Sequence, residues 1–385
     1  MKTTKTIGFN GSMLDEYPTG VGIYTYNLIN KIADLCAADS RYQLIVFSPT
    51  KSFLSRSVRL IKLPDLLQSS RFGKLAAFSR FVWNTCYYPL QASKMDLLIS
   101  TTTHGSFTST NQFLTIHDLL SLRYGNISRH QRIYFKFLLP RLIRSTKFII
   151  TVSESTKKDI VQFLHYPEKK IRVIYNGYDP TQYFFTNEKP NDILKNYQLK
   201  DYILAIGPTY PHKNFDRLLE AYSRLPASTR KKHPLAIAGG MKKYTSVLKL
   251  SSAKLGIASD VHFLGYIPQN LMRSLYREAT LLVFPSLYEG FGFPLVEAMA
   301  CGCPITCSNT SSMPEVCADA ALYFDPLDTD SMFKTINRLL KDSGMQQSFS
   351  RKGLERAKYF SWEKSARELK SLIDEELNIQ NTYPC

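Results

Sequence analysis

Short apolar runs recur along the chain, spaced so that a helix fits between each pair. Residues 6–10, 42–47, 97–100, 113–116, 148–152 and 171–174 form one series, and residues 202–206, 235–238, 261–264, 281–284 and 304–307 a second. The runs are rich in Ile, Leu, Val and Phe and do not alternate with polar residues. That pattern predicts strands of parallel sheets covered on both faces, an α/β architecture. The series restarts near residue 200, after a polar stretch at 186–196. A chain of 385 residues suits two domains. The expected division is 1–185, 186–362 and a C-terminal helix and tail over 363–385 that can pack back toward the first domain. Open sheets of this kind bind ligands at the carboxyl ends of their strands.

Composition narrows the class. Hydrophobic residues make up 44% and charged residues 21%, an ordinary globular mixture. No apolar stretch approaches the roughly 18 residues of a membrane span, and residues 1–10 read as a first strand rather than a signal peptide. A cytoplasmic location is therefore expected. Of seven cysteines, Cys301, Cys303 and Cys307 lie close together. A zinc site usually adds a second Cys or His pair further along, and none is evident, so these read as buried structural thiols.

The net charge of +17 is unevenly spread. Residues 51–147 hold 15 Lys and Arg against 3 Asp and Glu. In 51–83, Lys51, Arg56, Arg59, Lys62, Arg71, Lys74 and Arg80 mix with Phe53, Leu54, Phe72, Phe78, Phe81 and Trp83. In 129–147, Arg129, Arg132, Lys136, Arg141, Arg144 and Lys147 mix with apolar residues in the same way. Such mixtures suit an anionic membrane surface or a phosphate-bearing acceptor. For 129–147 a core helix with a solvated basic face fits equally well. A nucleic-acid or membrane-binding protein without catalysis is the rival of another class, but stacking motifs and nucleic-acid recognition folds are not evident, so no nucleic-acid partner is expected.

The densest chemistry lies between Leu281 and Pro304. A strand ends at Pro285, a loop carries Gly290 and Gly292, and a helix begins around Pro294. Glycines let a ligand approach the backbone. A helix start offers unpaired N–H groups and partial positive charge to phosphate. Glu289 and Glu297 bracket the loop and can accept hydrogen bonds from sugar or ribose hydroxyls.

The spacing from Glu289 to Gly302, Glu-Gly-Phe-Gly-x-Pro-x-x-Glu-Ala-Met-Ala-Cys-Gly, resembles glycosyltransferase family 4. The resemblance implies the GT-B fold, two Rossmann-like domains whose parallel sheets face a central cleft, with acceptor bound by the first and sugar nucleotide by the second. It implies that Glu289 faces the donor hexose and Glu297 the ribose, while Gly290, Phe291, Gly292, Phe293, Pro294 and Leu295 lie next to the sugar and phosphates. The run from Gly207 to Asn214 resembles the family's phosphate loop. Lys213 would neutralise the diphosphate, with His212 beside it, and Pro208 stands where an arginine is common. Gly20 and Gly22 resemble the glycine-rich loop after the first strand, within Tyr17-Pro-Thr-Gly-Val-Gly22. His117 matches the histidine near the donor sugar. Tyr266 lies in a segment whose backbone reads the base. His117, Glu289 and Lys213 are the implied catalytic residues.

The resemblance further implies retention of anomeric configuration by front-face attack, without metal or cofactor, the sugar nucleotide being a substrate. Its landmarks are most similar to bacterial mannosyltransferases of O-antigen or exopolysaccharide assembly. The expected donor is GDP-mannose, the alternatives being UDP- or dTDP-sugars. The expected acceptor is a lipid-linked saccharide or polysaccharide, reached from the inner face of the cell membrane. Ser153 reads as a helix cap and Asn176-Gly177 as a turn.

Overall fold

The computed structural model describes residues 4–16, 19–52, 54–124, 129–186 and 199–379. The chain divides into two compact units: Met1–Gly177 together with Ser361–Cys385, and Tyr178–Phe360. The first unit thus ends at Gly177 rather than at 185, and the C-terminal helix belongs to it. Residues 187–196 of the polar stretch that marked the expected boundary lie outside the described residues.

The first unit holds β1 (Lys5–Asn10), β2 (Tyr42–Ser48), β3 (Arg59–Lys62), β4 (Leu97–Ser100), β5 (Gln112–Ile116), β6 (Phe148–Thr151) and β7 (Ile171–Val173). They form one parallel sheet in the order β3-β2-β1-β4-β5-β6-β7. The second holds β8 (Ile203–Ile206), β9 (Leu235–Ala238), β10 (Val261–Gly265), β11 (Leu281–Phe284), β12 (Ile305–Ser308) and β13 (Ala321–Phe324), in the order β10-β9-β8-β11-β12-β13, also all parallel. Both sheets run outward in two directions from their first strand. That is the doubly wound Rossmann order, and it places a topological switch beside β1 and beside β8. Apolar side chains pointing to both faces explain the unbroken hydrophobic runs. Ile203, Leu204 and Ala205 are all buried, as are Leu281, Leu282 and Val283.

Two strands, β3 and β13, were not read from the sequence; β3 has a charged residue at each end, and the middle of β13 is only partly buried. Each lies at a sheet edge with a single neighbour, where half-exposed residues are tolerated.

The helix Trp362–Glu376 starts at Ser361, whose side chain accepts from the Lys364 N–H. It buries Trp362, Ala366, Leu369, Leu372 and Ile373, a stripe at helical spacing. Ser365 donates to the Tyr175 carbonyl at 2.5 Å, and Lys370 bridges the Tyr42 hydroxyl (3.0 Å) and Asp374 (2.8 Å). A Cβ on Gly177 would lie 2.2 Å from the Trp362 nitrogen, so glycine is required where the helix crosses the turn.

Residues 129–147 resolve into the helix Arg129–Ile133, a π-turn at Tyr134–Leu138 and the helix Leu139–Arg144. Pro140 has no N–H to give, and the Leu139 N–H reaches back to the Tyr134 carbonyl, which widens the turn. Phe135, Leu139, Leu142 and Ile143 join the core beneath β5 and β6, so most apolar residues of this segment serve packing. Ile133 and Phe137 remain exposed. Cys301, Cys303 and Cys307 are buried free thiols. Among the described residues no helix is long and apolar enough to cross a membrane.

Candidate functional site

In the second unit, the carboxyl ends of β8, β9, β10 and β11 carry the densest set of candidate residues. After β8 the chain passes Gly207, whose φ of +149° lies at the margin of the region that favours glycine. It then forms a single tight turn, Pro211–Lys213, closed by Asn214 in the left-handed conformation. The buried Asn214 amide donates to the carbonyls of Pro285 (3.0 Å) and Pro326 (2.8 Å). The Leu287 N–H donates to the His212 carbonyl at 2.8 Å. The bonds to Pro285 and from Leu287 fasten the turn after β8 to the loop after β11, and the bond to Pro326 fastens it to the loop after β13.

That fastening brings Lys213 and Glu289 together: Lys213 Nζ lies 2.5 Å from Glu289 Oε1, with both side chains largely shielded from solvent. The lysine stem passes over Gly207, where a Cβ would come within 3.2 Å of it. The Phe284 ring centroid is 5.6 Å from the ammonium. His212 is buried and stacks on Tyr210 at 16° between planes. Burial, and then the Lys213 charge, lower its pKa to about 4, so it is neutral at physiological pH.

The Glu289 loop is held from beneath by two serines. Ser311 Oγ donates to the Glu289 carbonyl (2.6 Å) and accepts from the Glu289 N–H (3.2 Å). Ser312 Oγ, fully buried, lies within donating distance of the carbonyls of Glu289 (3.0 Å) and Phe291 (2.8 Å). Gly292, at φ +106°, caps the helix Phe293–Ala300, with Pro294 in its first turn. Phe291 is a core residue, its ring set edge-on against Phe293 and Phe360. Leu295 is also core, and its N–H donates to the Gly292 carbonyl at 3.0 Å. What Leu295 gives the site is packing beneath the loop rather than an amide for a phosphate.

Glu297, one turn into that helix, accepts from the Tyr276 hydroxyl at 2.6 Å. Burial raises its pKa to about 7, against the pull of the Tyr276 and Tyr183 hydroxyls. Tyr266, after β10, has a side chain 74% exposed.

Several residues here were not singled out from the sequence. Gly239 ends β9 at φ +136°, and a Cβ there would lie 2.3 Å from the Gly207 carbonyl oxygen. Its N–H donates to the Gly265 carbonyl at 2.8 Å. The ends of β8, β9 and β10 thus approach one another through glycine backbone, with the Lys213 stem over Gly207 and the Met241 methyl beside Gly265. Thr209 and Thr245 share a hydroxyl–hydroxyl bond of 2.7 Å and both accept from the Lys242 N–H. The Lys242 ammonium lies 5.9 Å from the Tyr210 ring, next to the turn that carries Lys213. The Gly239-Gly240 pair directly after a predicted strand was the available signal for this cradle. Ser311 and Ser312 had none, because their partners are backbone atoms of a distant loop.

In the first unit, His117 follows β5. Its Nε2 lies 2.9 Å from the Thr101 carbonyl, which accepts only. Nε2 therefore carries the proton, and Nδ1 is left as an acceptor. The ring sits edge-on to Tyr24 at 4.6 Å. Burial lowers its pKa to about 4, so this imidazole is neutral. Asp118 accepts from the Leu120 N–H, a turn-forming role. Gly20 and Gly22 form the first turn of the helix Gly20–Cys36 rather than a loop. Tyr17 and Pro18, which open that motif, lie outside the described residues. Ser153 caps the helix Glu154–Leu164 by accepting from the Thr156 N–H at 3.0 Å.

Residues 187–356 match the family described as glycosyl transferases group 1, and residues 18–182 match glycosyltransferase family 4. The chain is 31% identical over 363 residues to O-antigen chain mannosyltransferase B of Escherichia coli, covering 90% of this chain and 94% of that one. It is 28% identical over 337 residues to O-antigen chain mannosyltransferase RfbU of Salmonella typhimurium, covering 86% and 90%. Among solved structures it resembles sucrose-phosphate synthase from Thermosynechococcus elongatus, with a TM-score of 0.73 at 18% identity over 98% of this chain and 100% of that one. It also resembles WaaG, a glycosyltransferase involved in lipopolysaccharide biosynthesis, with a TM-score of 0.69 at 17% identity over 95% and 99%. At such identities the structural likeness speaks for the fold: two Rossmann-like domains of the GT-B type.

Proposed function

The chain belongs to glycosyltransferase family 4, and on that premise we propose that it transfers mannose from GDP-mannose, with retention of configuration, to a hydroxyl of a lipid-linked glycan. The observation that carries the chemistry is the Lys213–Glu289 pair, set between the glycine ends of β8–β10 and the amino end of the helix Phe293–Ala300. The choice of mannose rests on the two O-antigen mannosyltransferases that match most of the chain.

In this reading the second unit binds donor and the first binds acceptor. Lys213, the helix amino end and the cradle amides hold the diphosphate. Lys242 adds the charge that Pro208 does not supply. Glu289 accepts from hexose hydroxyls and Glu297 from the ribose. The acceptor hydroxyl attacks the anomeric carbon on the face from which the diphosphate departs. A new C–O bond forms as the old one breaks, and the departing phosphate oxygen takes the acceptor proton. His117, neutral, offers Nδ1 as an acceptor to the sugar and is not a proton donor. No metal or resident cofactor enters this scheme. The basic, apolar face of the first unit supports work at the inner surface of the cell membrane.

The test is transfer of radiolabel from GDP-mannose to lipid extracted from the producing bacterium, in excess chelator. The expected result is labelled glycolipid with an α-linked mannose. Label remaining in GDP-mannose, with transfer from a UDP- or dTDP-sugar instead, would replace the donor assignment. A β-linked product would overturn retention, and activity restored only by a divalent metal would overturn the metal-free scheme.

A further inference from the structure

The helix Ser69–Val82 is kinked at Gly73 (φ +51°); it carries Phe72 before the kink and Leu75 and Phe78 after it, all exposed, with Phe78 at 65%. The π-turn Trp83–Tyr87 and the helix Tyr88–Ala92 continue this face with Tyr87 and Leu90, exposed at 60% and 65%. Large apolar side chains clustered this way on one surface mark an interaction site.

Beneath them is a cavity of about 560 Å³ lined by Phe47, Leu63, Leu67, Phe78, Trp83 and Tyr87, among others. Phe47, Leu67 and Trp83 are buried and form its floor, whereas Phe78 and Tyr87 stand at its mouth. The volume falls in the range of small-ligand sites, and the lining is mostly apolar. Lys62, Ser79 and Gln91 add polar atoms. Lys62 is paired with Asp65 at 2.6 Å.

The charge of the segment that builds the cavity selects among occupants. Residues 51–83 contain seven Lys and Arg and one acidic residue, Asp65. Arg56 and Arg59 are exposed. A second copy of this chain would bring the same positive face and be repelled. An apolar opening in a segment of net positive charge fits a hydrocarbon chain that carries an anionic head group.

We infer that this face docks on an anionic bilayer and that the cavity takes up one lipid hydrocarbon chain beside Trp83. The inference deepens the membrane part of the proposed function and is independent of which sugar is transferred.

The chain contains two tryptophans, Trp83 and Trp362. In a Trp362→Phe variant, Trp83 is the sole reporter. The full-length variant is mixed at low salt with phosphatidylglycerol vesicles whose acyl chains are unbrominated or brominated, bromine quenching indole at contact range. The expected result is co-sedimentation with vesicles and at least twofold lower Trp83 emission with brominated chains. Ser79→Phe, which fills the cavity, should keep vesicle binding and lose the quenching. Leu75→Ser with Phe78→Ser, both at exposed sites, should lose vesicle binding with an unchanged circular dichroism spectrum. Vesicle binding with equal emission from the two lipids would overturn the chain cavity. Equal binding to phosphatidylcholine would overturn the anionic selection. Self-association without vesicle binding would assign the face to a second copy. GDP-mannose binding, measured on the same samples, separates these outcomes from failure of the glycosyl-transfer reading.

Discussion

Lys213 Nζ lies 2.5 Å from Glu289 Oε1, the lysine in the turn after β8 and the glutamate in the loop after β11. On the proposed function, diphosphate and Glu289 compete for one ammonium. In that reading, phosphate engaging Lys213 releases Glu289 to accept from sugar hydroxyls. Glu289→Gln is expected to lower kcat about 100-fold or more, with GDP affinity unchanged or tighter. Lys213→Met is expected to weaken GDP itself. Steady-state kinetics with GDP titrations on each variant check both outcomes. Equal loss of GDP affinity in the two variants would mean that Glu289 only supports the lysine.

Ser312 acts through Glu289 and Phe291, whose carbonyls it reaches from a fully buried position. Ser312→Ala takes the donor from the Phe291 carbonyl, while the Glu289 carbonyl keeps Ser311, at a cost of about 1–3 kcal/mol. Thermal unfolding should show that loss. On the proposed function the kcat should fall while donor KM stays close to wild type, the diphosphate being held by Lys213 and the cradle amides. A fall in stability with normal kcat would reduce Ser312 to a packing role.

Gly239→Ala drives a methyl group into the Gly207 carbonyl and is expected to cost on the order of 3 kcal/mol or more, or to abolish donor binding. Gly256→Ala is the control. It also has positive φ, but nothing lies within 4 Å, so the cost should be the roughly 1–2 kcal/mol of left-handed backbone alone. Similar unfolding midpoints for the two variants would contradict the cradle geometry.

Both sheets were legible in the sequence because their central strands are buried on two faces, which leaves unbroken apolar runs such as Leu281–Phe284. Two of the four edge strands, β3 and β13, were not legible, whereas β7 and β10 were. Arg59–Lys62 pairs on one side only and keeps charged ends. In the candidate site, Glu289, Glu297 and Lys213 stand in a motif with fixed spacing. The residues that aim them do not. Asn214 reaches Pro326 and Ser312 reaches Phe291 across contacts formed only after folding. Gly177 looked like an ordinary turn until the C-terminal helix closed against it.

Glu297 links the site to pH. Its folded-state pKa of about 7 lies above its ordinary value of 4.5. The folded protein therefore keeps this proton over a range where the unfolded chain has lost it. Its contribution to stability is full below about 4.5, declines as pH rises through about 7, and is level beyond. Glu297→Gln removes that decline and retains an oxygen for the Tyr276 hydroxyl. The variant should melt close to wild type at pH 5 and above it at pH 8. The same offset at both values would mean that the carboxyl titrates normally.

Lys242 should contribute a partly screened charge. Lys242→Gln is expected to weaken GDP roughly two- to fivefold at low salt, with the difference shrinking as salt rises and guanosine binding unaffected.

The most direct measurement is calorimetric titration of GDP-mannose into the wild-type protein and into Lys213→Met. Saturable one-site binding to the wild type, weakened at least tenfold in the variant, is the predicted result. Absence of binding by GDP-mannose, GDP and every other sugar nucleotide tested, to a protein that melts cooperatively, would contradict the donor site built on Lys213 and Glu289.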